Sequence, residues 1–382
     1  MCCSTLVSPI LPLYSRGLGA AIAIIGLMFS TRDIAQVFLR IPFGSFSDKI
    51  GRKKVIAAGI GFHALAQLAF FVSWDPLLIT VGLLLNGIGM AMLYPAAQTY
   101  ASELAPQGRL AETMGRYTMS ISLSYLIGPL AGGFLAEMFP SYRPLFLISF
   151  VLTSLGGGIS ILFLRETRPS QPTGRWAEQF QILGREIIGI PGMLVETFRN
   201  KRIVAPSAAV FASTFALAAL ESYYPLYAKT IGFNEFAIGA ALATRALLWT
   251  VSMPLLGRLS DKIGRVKPML AGLFLYVISP ALIPSVGGYA SFALISMLGL
   301  GEGILSPASM ASIVENVDVK HRGAAMGIFG TMLMGGRATG LLTMGVAVAL
   351  FDLVSVFYLS AAVAGACAMV LMLMGSHVRR PR

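Results

Sequence analysis

The chain has 382 residues, 56% apolar and only 12% charged, with a mean hydropathy of +0.76 and a net charge of +12. A soluble protein of this length needs far more surface charge, so a large soluble helical domain is excluded. The basic excess does not point to nucleic acid either, because Lys and Arg fall in short intervals between long apolar runs, as membrane topology requires.

Residues 1 to 15 are apolar but would reach only ~22 Å as a helix, short of a ~30 Å hydrocarbon layer. A short or truncated first helix is therefore expected, and no basic n-region marks a signal peptide. Apolar runs then predict span two over Ala20 to Phe46, span three over Val55 to Val72 and span four over Leu77 to Tyr100. Span five follows over Leu110 to Met138 and span six over Pro144 to Leu164. Residues 165–202 break the pattern and read as a cytoplasmic linker, with an amphipathic interfacial helix over Trp176 to Arg199. Six further spans are expected near 203–228, 235–259, 268–286, 289–314, 322–350 and 353–375, and all should be helical, because open sheet cannot satisfy its backbone in lipid. The expected domains are a six-helix bundle over 1–164, the linker over 165–202, and a second six-helix bundle with a basic tail over 203–382.

Charge sets the expected orientation. With the turn at 44–54 in the cytoplasm, 22 of the 29 Lys and Arg lie on that side and 3 (Arg16, Arg143, Lys229) on the other. The remaining 4, Arg32, Arg40, Arg245 and Arg337, fall inside spans. This split supports twelve spans with both termini cytoplasmic, in a multi-pass protein of the cell membrane.

The chain repeats itself. Gly44-Ser45-Phe46-Ser47-Asp48-Lys49-Ile50-Gly51-Arg52-Lys53-Lys54 returns 213 residues later as Gly257-Arg258-Leu259-Ser260-Asp261-Lys262-Ile263-Gly264-Arg265-Val266-Lys267. At the same offset Pro12-Leu13-Tyr14 matches Pro225-Leu226-Tyr227, Ile25-Gly26 matches Ile238-Gly239, and Thr31-Arg32 matches Thr244-Arg245. Downstream the offset slips by one, so that Pro95 matches Pro307, Glu103 matches Glu315 and Gly115 matches Gly327. Two homologous halves are implied.

The Gly-x-x-x-Asp-x-x-Gly-Arg-x-Lys turn resembles the signature between the second and third helices of major facilitator superfamily transporters, and its second copy sits between helices eight and nine. Gly128-Pro129-Leu130-Ala131-Gly132-Gly133 resembles the helix-five signature of that superfamily's antiporter branch. The resemblance covers essentially the whole chain. It implies an all-α polytopic fold of two pseudo-symmetric six-helix bundles, with spans one, four, seven and ten around a central path. It also implies that Asp48, Arg52 and Glu103 form one gating cluster, with Asp261, Arg265 and Glu315 as its partner. Gly128, Pro129, Gly132 and Gly133 would be a packing segment that seals one side. One departure stands out: the exporters' arginine early in span four is missing from Leu83-Leu84-Leu85-Asn86-Gly87.

Charges deep in spans are costly and point to function. Asp33 in span two, Glu221 in span seven and Glu302 in span ten are candidate proton-coupling groups. Arg32 and Asp33 are adjacent, about 100° apart on a helix, and need not pair with each other. Arg32 has its counterpart in Arg245, whereas Asp33 has none, since residue 246 is Ala. Arg337 is a candidate partner for one of the carboxylates. Tyr14, Asn86, Tyr94, Gln98, Tyr223, Tyr224 and Tyr227 complete the cavity candidates.

The main expectation is a proton antiporter exporting small amphiphilic compounds by alternating access. The alternatives are a proton-coupled importer of a sugar, organic acid or other metabolite, and a non-transporting membrane sensor or assembly factor. Protons, a small-molecule substrate and the lipid bilayer are the expected partners of a monomer. No nucleic acid, cofactor or metal is expected: the three Cys and three His lack ligand spacing. Neither a Walker loop nor a His-Glu-x-x-His helix is present, so no enzyme is expected.

Overall fold

The computed structural model describes residues 2–107, 109–167, 201–316 and 322–374. Among them all regular structure is helical: α1 (Cys2–Val7), α2 (Leu11–Gly17), α3 (Ile22–Ile50), α4 (Arg52–Val72), α5 (Pro76–Glu103), α6 (Leu110–Met138), α7 (Arg143–Phe163), α8 (Lys201–Thr230), α9 (Glu235–Ile263), α10 (Val266–Val286), α11 (Gly288–Glu315), α12 (Arg322–Leu350) and α13 (Ser355–Met374). The eleven from α3 to α13 are long and apolar enough to cross a membrane. Together α1 and α2 fill the position of span one. The expected interfacial helix at Trp176 to Arg199 and the basic tail lie outside the described residues.

The packing repeats with the sequence. In the first half α3 and α4 both pack on α5, α1 packs on α6, and α4 on α7. In the second half α9 and α10 both pack on α11, α8 on α12, and α10 on α13. The two principal contacts between the halves are α3 on α12 and, in the mirrored arrangement, α9 on α6. Outward faces carry large apolar side chains such as Leu155, Ile159, Phe163 and Met369, as a lipid-facing surface requires.

The repeated turn is tighter than the sequence suggests. Most of its polar residues belong to the helices, and only Gly51 in the first copy and Gly264 with Arg265 in the second lie between them. Both glycines have positive φ, 110° and 87°, which side chains rarely adopt, and their N–H groups donate to Ser47 and Ser260 carbonyls at 3.3 and 3.1 Å. Asp48 thus sits in the last turn of α3 and Arg52 opens α4. At the other end of these helices the copies differ. Ser73, Trp74 and Asp75 link α4 to α5, where the Asp75 carboxylate accepts from the Leu78 N–H at 2.8 Å. Only Gly287 links α10 to α11.

The halves meet most closely at the end remote from Gly51 and Gly264. Gly26 of α3 lies so near α12 that a Cβ would overlap the Leu341 carbonyl and the Tyr223 hydroxyl. Its counterpart Gly239 of α9 lies equally near α6, against the Pro129 carbonyl. From the other side, a Cβ on Gly345 would be 2.6 Å from the Ala23 carbonyl, and one on Gly133 2.5 Å from the Glu235 carbonyl. The Ile-Gly repeat thus marks matched contacts between backbones, the small-residue packing that holds helices together in lipid. Polar bonds join the same end: the Tyr142 hydroxyl donates to Glu235 at 2.7 Å, and Glu235 also pairs with Lys229 at 2.7 Å.

Gly239→Val would force a side chain into the Pro129 carbonyl. Overpacking of this kind costs about 1–3 kcal/mol. We predict a lower thermal midpoint in detergent and faster thiol labelling of a cysteine placed at Leu18, at the clasped end. Unchanged values for both would refute the contact.

Candidate functional site

Six ionised side chains from five helices form one alternating chain in the middle of the molecule. Arg32 of α3 pairs with Asp33 through Nε to Oδ1 at 3.0 Å and Nη2 to Oδ2 at 3.2 Å. Arg337 of α12 reaches Asp33 Oδ2 at 3.3 Å and Glu221 Oε2 of α8 at 3.2 Å. Arg245 of α9 holds Glu221 Oε1 and Glu302 Oε2 of α11, each at 2.7 Å. Three guanidinium groups thus alternate with three carboxylates, and the sum of their charges is zero.

Each link has a local cause. Arg32 and Arg245 occupy equivalent places in α3 and α9, where their backbones press on Gly87 of α5 and Gly299 of α11. A Cβ at either glycine would overlap the arginine carbonyl, so the two arginines are set at the same depth by the same glycine contact. Their partners differ because the carboxylates do not repeat. Arg32 folds back on its neighbour Asp33, overcoming the angular separation through the length of its side chain. Arg245 spans from α8 to α11. Gln36, one turn beyond Asp33, donates to Oδ1 at 3.4 Å.

Accessibility grades along the chain. Asp33 is 1% exposed and the Arg245 side chain 5%, whereas the Arg32, Glu221 and Glu302 side chains are 24%, 23% and 22% exposed. The network therefore combines a sealed anchor with groups that a solute or proton can reach. Isolated charges at this depth are unfavourable, and the pairing offsets part of that cost.

The repeated turns carry two further clusters. Arg52 bonds Ser47 and Asp48, and its Nη2 reaches Glu103 Oε1 at 3.2 Å. Arg265 reaches Asp261 and Glu315, each at 2.5 Å, and Ser260 at 3.2 Å. Two residues that the sequence did not single out join the first cluster. Glu166 accepts from the Arg52 backbone N–H at 2.7 Å, capping α4, and Thr167 donates to Glu103 at 2.6 Å. Their place just after span six was the only sequence signal for them.

Within the Gly-Pro segment, Gly128 and Gly132 meet Thr5 and Leu6 of α1, while Pro129 and Gly133 meet α9 of the other half. Helix α6 runs unbroken through Pro129. Of the aromatic candidates, Tyr14 and Tyr227 occupy equivalent places within their own halves, each with a ring 4.9 Å away, Phe146 and Phe357 respectively. Asn86 bonds His63 Nδ1 at 3.4 Å, also within one half. Tyr223 and Tyr224 are fully buried, Tyr223 against Gly26. Tyr94 lies under the Arg40 guanidinium, 5.0 Å from its ring centroid, and Gln98 is exposed one turn further on. Among the described residues no group of His, Cys, Asp or Glu is arranged to hold a metal ion.

A family model described as Major Facilitator Superfamily matches residues 1–289 and, in an overlapping second match, 207–382. An uncharacterised MFS-type transporter of Methanocaldococcus jannaschii is 26% identical over 357 residues, which cover 93% of this chain and 90% of that protein. The quinolone resistance protein NorA of Staphylococcus aureus is 25% identical over 350 residues, 91% of this chain and 86% of NorA. Among solved structures, a POT family transporter in complex with a thioalcohol-conjugated peptide superposes with a TM-score of 0.79 at 14% identity, over 99% of this chain and 94% of that one. The nucleoside transporter NupG gives a TM-score of 0.75 at 16% identity, over 98% and 96%. These two likenesses establish the fold alone.

Removing one partner of a buried ion pair costs about 3–5 kcal/mol because the other charge is stranded. We predict that Arg337→Gln sharply lowers the thermal midpoint, and that adding Asp33→Asn restores part of the loss. Strictly additive losses in the double variant would mean that the two groups are not coupled.

Proposed function

The chain belongs to the Major Facilitator Superfamily, and from that premise we propose that it is a proton-coupled secondary transporter of a small organic solute, working by alternating access. The observation that carries this reading is the neutral ion chain whose Asp33–Arg337 link joins the two halves. A network that spans the halves must rearrange when they rock, and its free energy changes when one carboxylate takes up a proton. Proton binding and conformation are thereby coupled.

Charge counting selects the carrier. Asp33 and Glu221 each pair with two guanidinium groups, while among the described residues Glu302 pairs with Arg245 alone. Neutralising Glu302 therefore strands the least charge, and Glu302 is the assigned proton site. Glu221, shared by Arg245 and Arg337, relays the change toward Asp33, which acts as the sealed anchor. The Asp48–Arg52–Glu103 and Asp261–Arg265–Glu315 clusters are assigned to gating at the cytoplasmic face, with the linker residues Glu166 and Thr167 bracing the first. With the basic turns in the cytoplasm, the glycine contacts at Gly26 and Gly239 close the outer face, and both termini are cytoplasmic. The two helix sets, 1–164 and 203–382, are the moving bundles, joined by the linker over 165–202.

A centre with this many ionised groups suits a polar metabolite better than a greasy multidrug pocket, so the permease reading stands ahead of export. Export of amphiphilic compounds is the second reading. It is favoured by the Gly-Pro segment at the contact between the halves and by the resemblance to NorA.

In proteoliposomes with an imposed pH gradient, a solute found by screening small organic compounds should move with protons. We predict that Glu302→Gln and Glu221→Gln each cut proton-coupled flux at least tenfold while exchange of labelled for unlabelled solute persists. Proton flux unchanged in both variants, and in Asp33→Asn, would sink the assignment.

A further inference from the structure

The spans hold four arginines but, among the described residues that face the centre, three carboxylates. Arg32, Arg245 and Arg337 are taken up by the ion chain. Arg40 remains. It lies on α3 eight residues, about 12 Å, beyond Arg32 toward the repeated turn. Among the described residues no carboxylate lies within ion-pair distance of it. Its counterpart 213 residues on is Met253, so the second half offers no matching cation.

What does surround Arg40 is specific. The guanidinium stands over the Tyr94 ring of α5, 5.0 Å from the centroid. Tyr117 of α6 lies nearby. On the other side of the guanidinium α12 of the other half packs against it: a Cβ on Gly330 would stand 4.0 Å from Arg40 Cζ, in van der Waals contact. The cation therefore faces the path between the halves and not the lipid, so a lipid phosphate is not its partner. An aromatic face recovers only part of the free energy a half-buried guanidinium loses on leaving water. The remainder calls for an anion. The planar fork of arginine matches a carboxylate in a two-bond geometry that lysine lacks.

Building on the transporter reading, we propose that Arg40 docks the anionic group of the solute, so that the substrate class is a small organic acid. Its carboxylate sits on the guanidinium, and an apolar or aromatic body lies against Tyr94 and Tyr117. The bound acid makes up the one negative charge that the centre lacks.

The test uses the purified full-length protein and three probes that share one ring system: naphthalene-1-acetate, 2-(1-naphthyl)ethanol and 1-naphthylmethylamine. Titration calorimetry near neutral pH should show the acid binding at least tenfold tighter than the amine, the scale of one charge-assisted contact. Arg40→Gln should abolish that preference while leaving the affinity for the alcohol within about twofold, which also reports that the variant is folded. Arg40→Lys should keep a weaker preference for the acid and serves if the glutamine variant does not fold. An amine that binds as tightly as the acid, an acid that shows no saturable binding, or a preference unaltered in both variants would overturn the proposal. Proton-coupled flux without any dependence on Arg40 would reject the docking site alone. Acid binding at Arg40 without flux in liposomes would reject the transporter reading alone.

Discussion

Charge inside a bilayer has to be answered by charge. That constraint governs the middle of this protein more than any other. Three arginines and three carboxylates, supplied by five helices, settle into a single alternating line, and the line fixes where α3, α8, α9, α11 and α12 stand relative to one another. Remove one member and the loss spreads to its neighbours, because each interior group serves two partners. The Asp33–Arg337 link adds a directional, charge-specific contact between the halves that apolar packing does not supply.

Glycine supplies the complementary constraint. Gly26 and Gly239 bring the halves together by backbone contact at one end, and Gly87 and Gly299 set the depth of the two equivalent arginines. These contacts are neutral and duplicated. The charges they position are neither fully duplicated nor interchangeable. A symmetric frame therefore carries an asymmetric set of carboxylates: Asp33 in the first half, Glu221 and Glu302 in the second.

Much of the frame was legible in the sequence. The 213-residue echo implies two related helix sets, and the apolar runs give helix positions, most of whose ends lie within a few residues of those observed. The extension of α3 to Ile50 and of α9 to Ile263 was not legible, because polar residues at a membrane surface look like loop whether or not the helix continues through them. Pairings were hidden for a different reason. Which carboxylate Arg337 meets depends on the rotation and depth of α12 against α3 and α8, and neither follows from periodicity. Arg32 illustrates the limit well. Helical geometry separates it from Asp33, yet a long flexible side chain bridges the angle. Counting cations against carboxylates within the spans would have shown one arginine left over, but not that it is Arg40.

The three residues between α4 and α5 and the lone Gly287 between α10 and α11 span the step where the two copies lose register. An extra residue inside a helix would turn everything after it by about 100° and swing its glycines away from their partners. In a connecting hairpin it turns nothing. Ancestral drift in length could therefore accumulate only at such corners, which makes the α4–α5 corner the natural place to splice in a reporter or epitope without disturbing the machinery on either side.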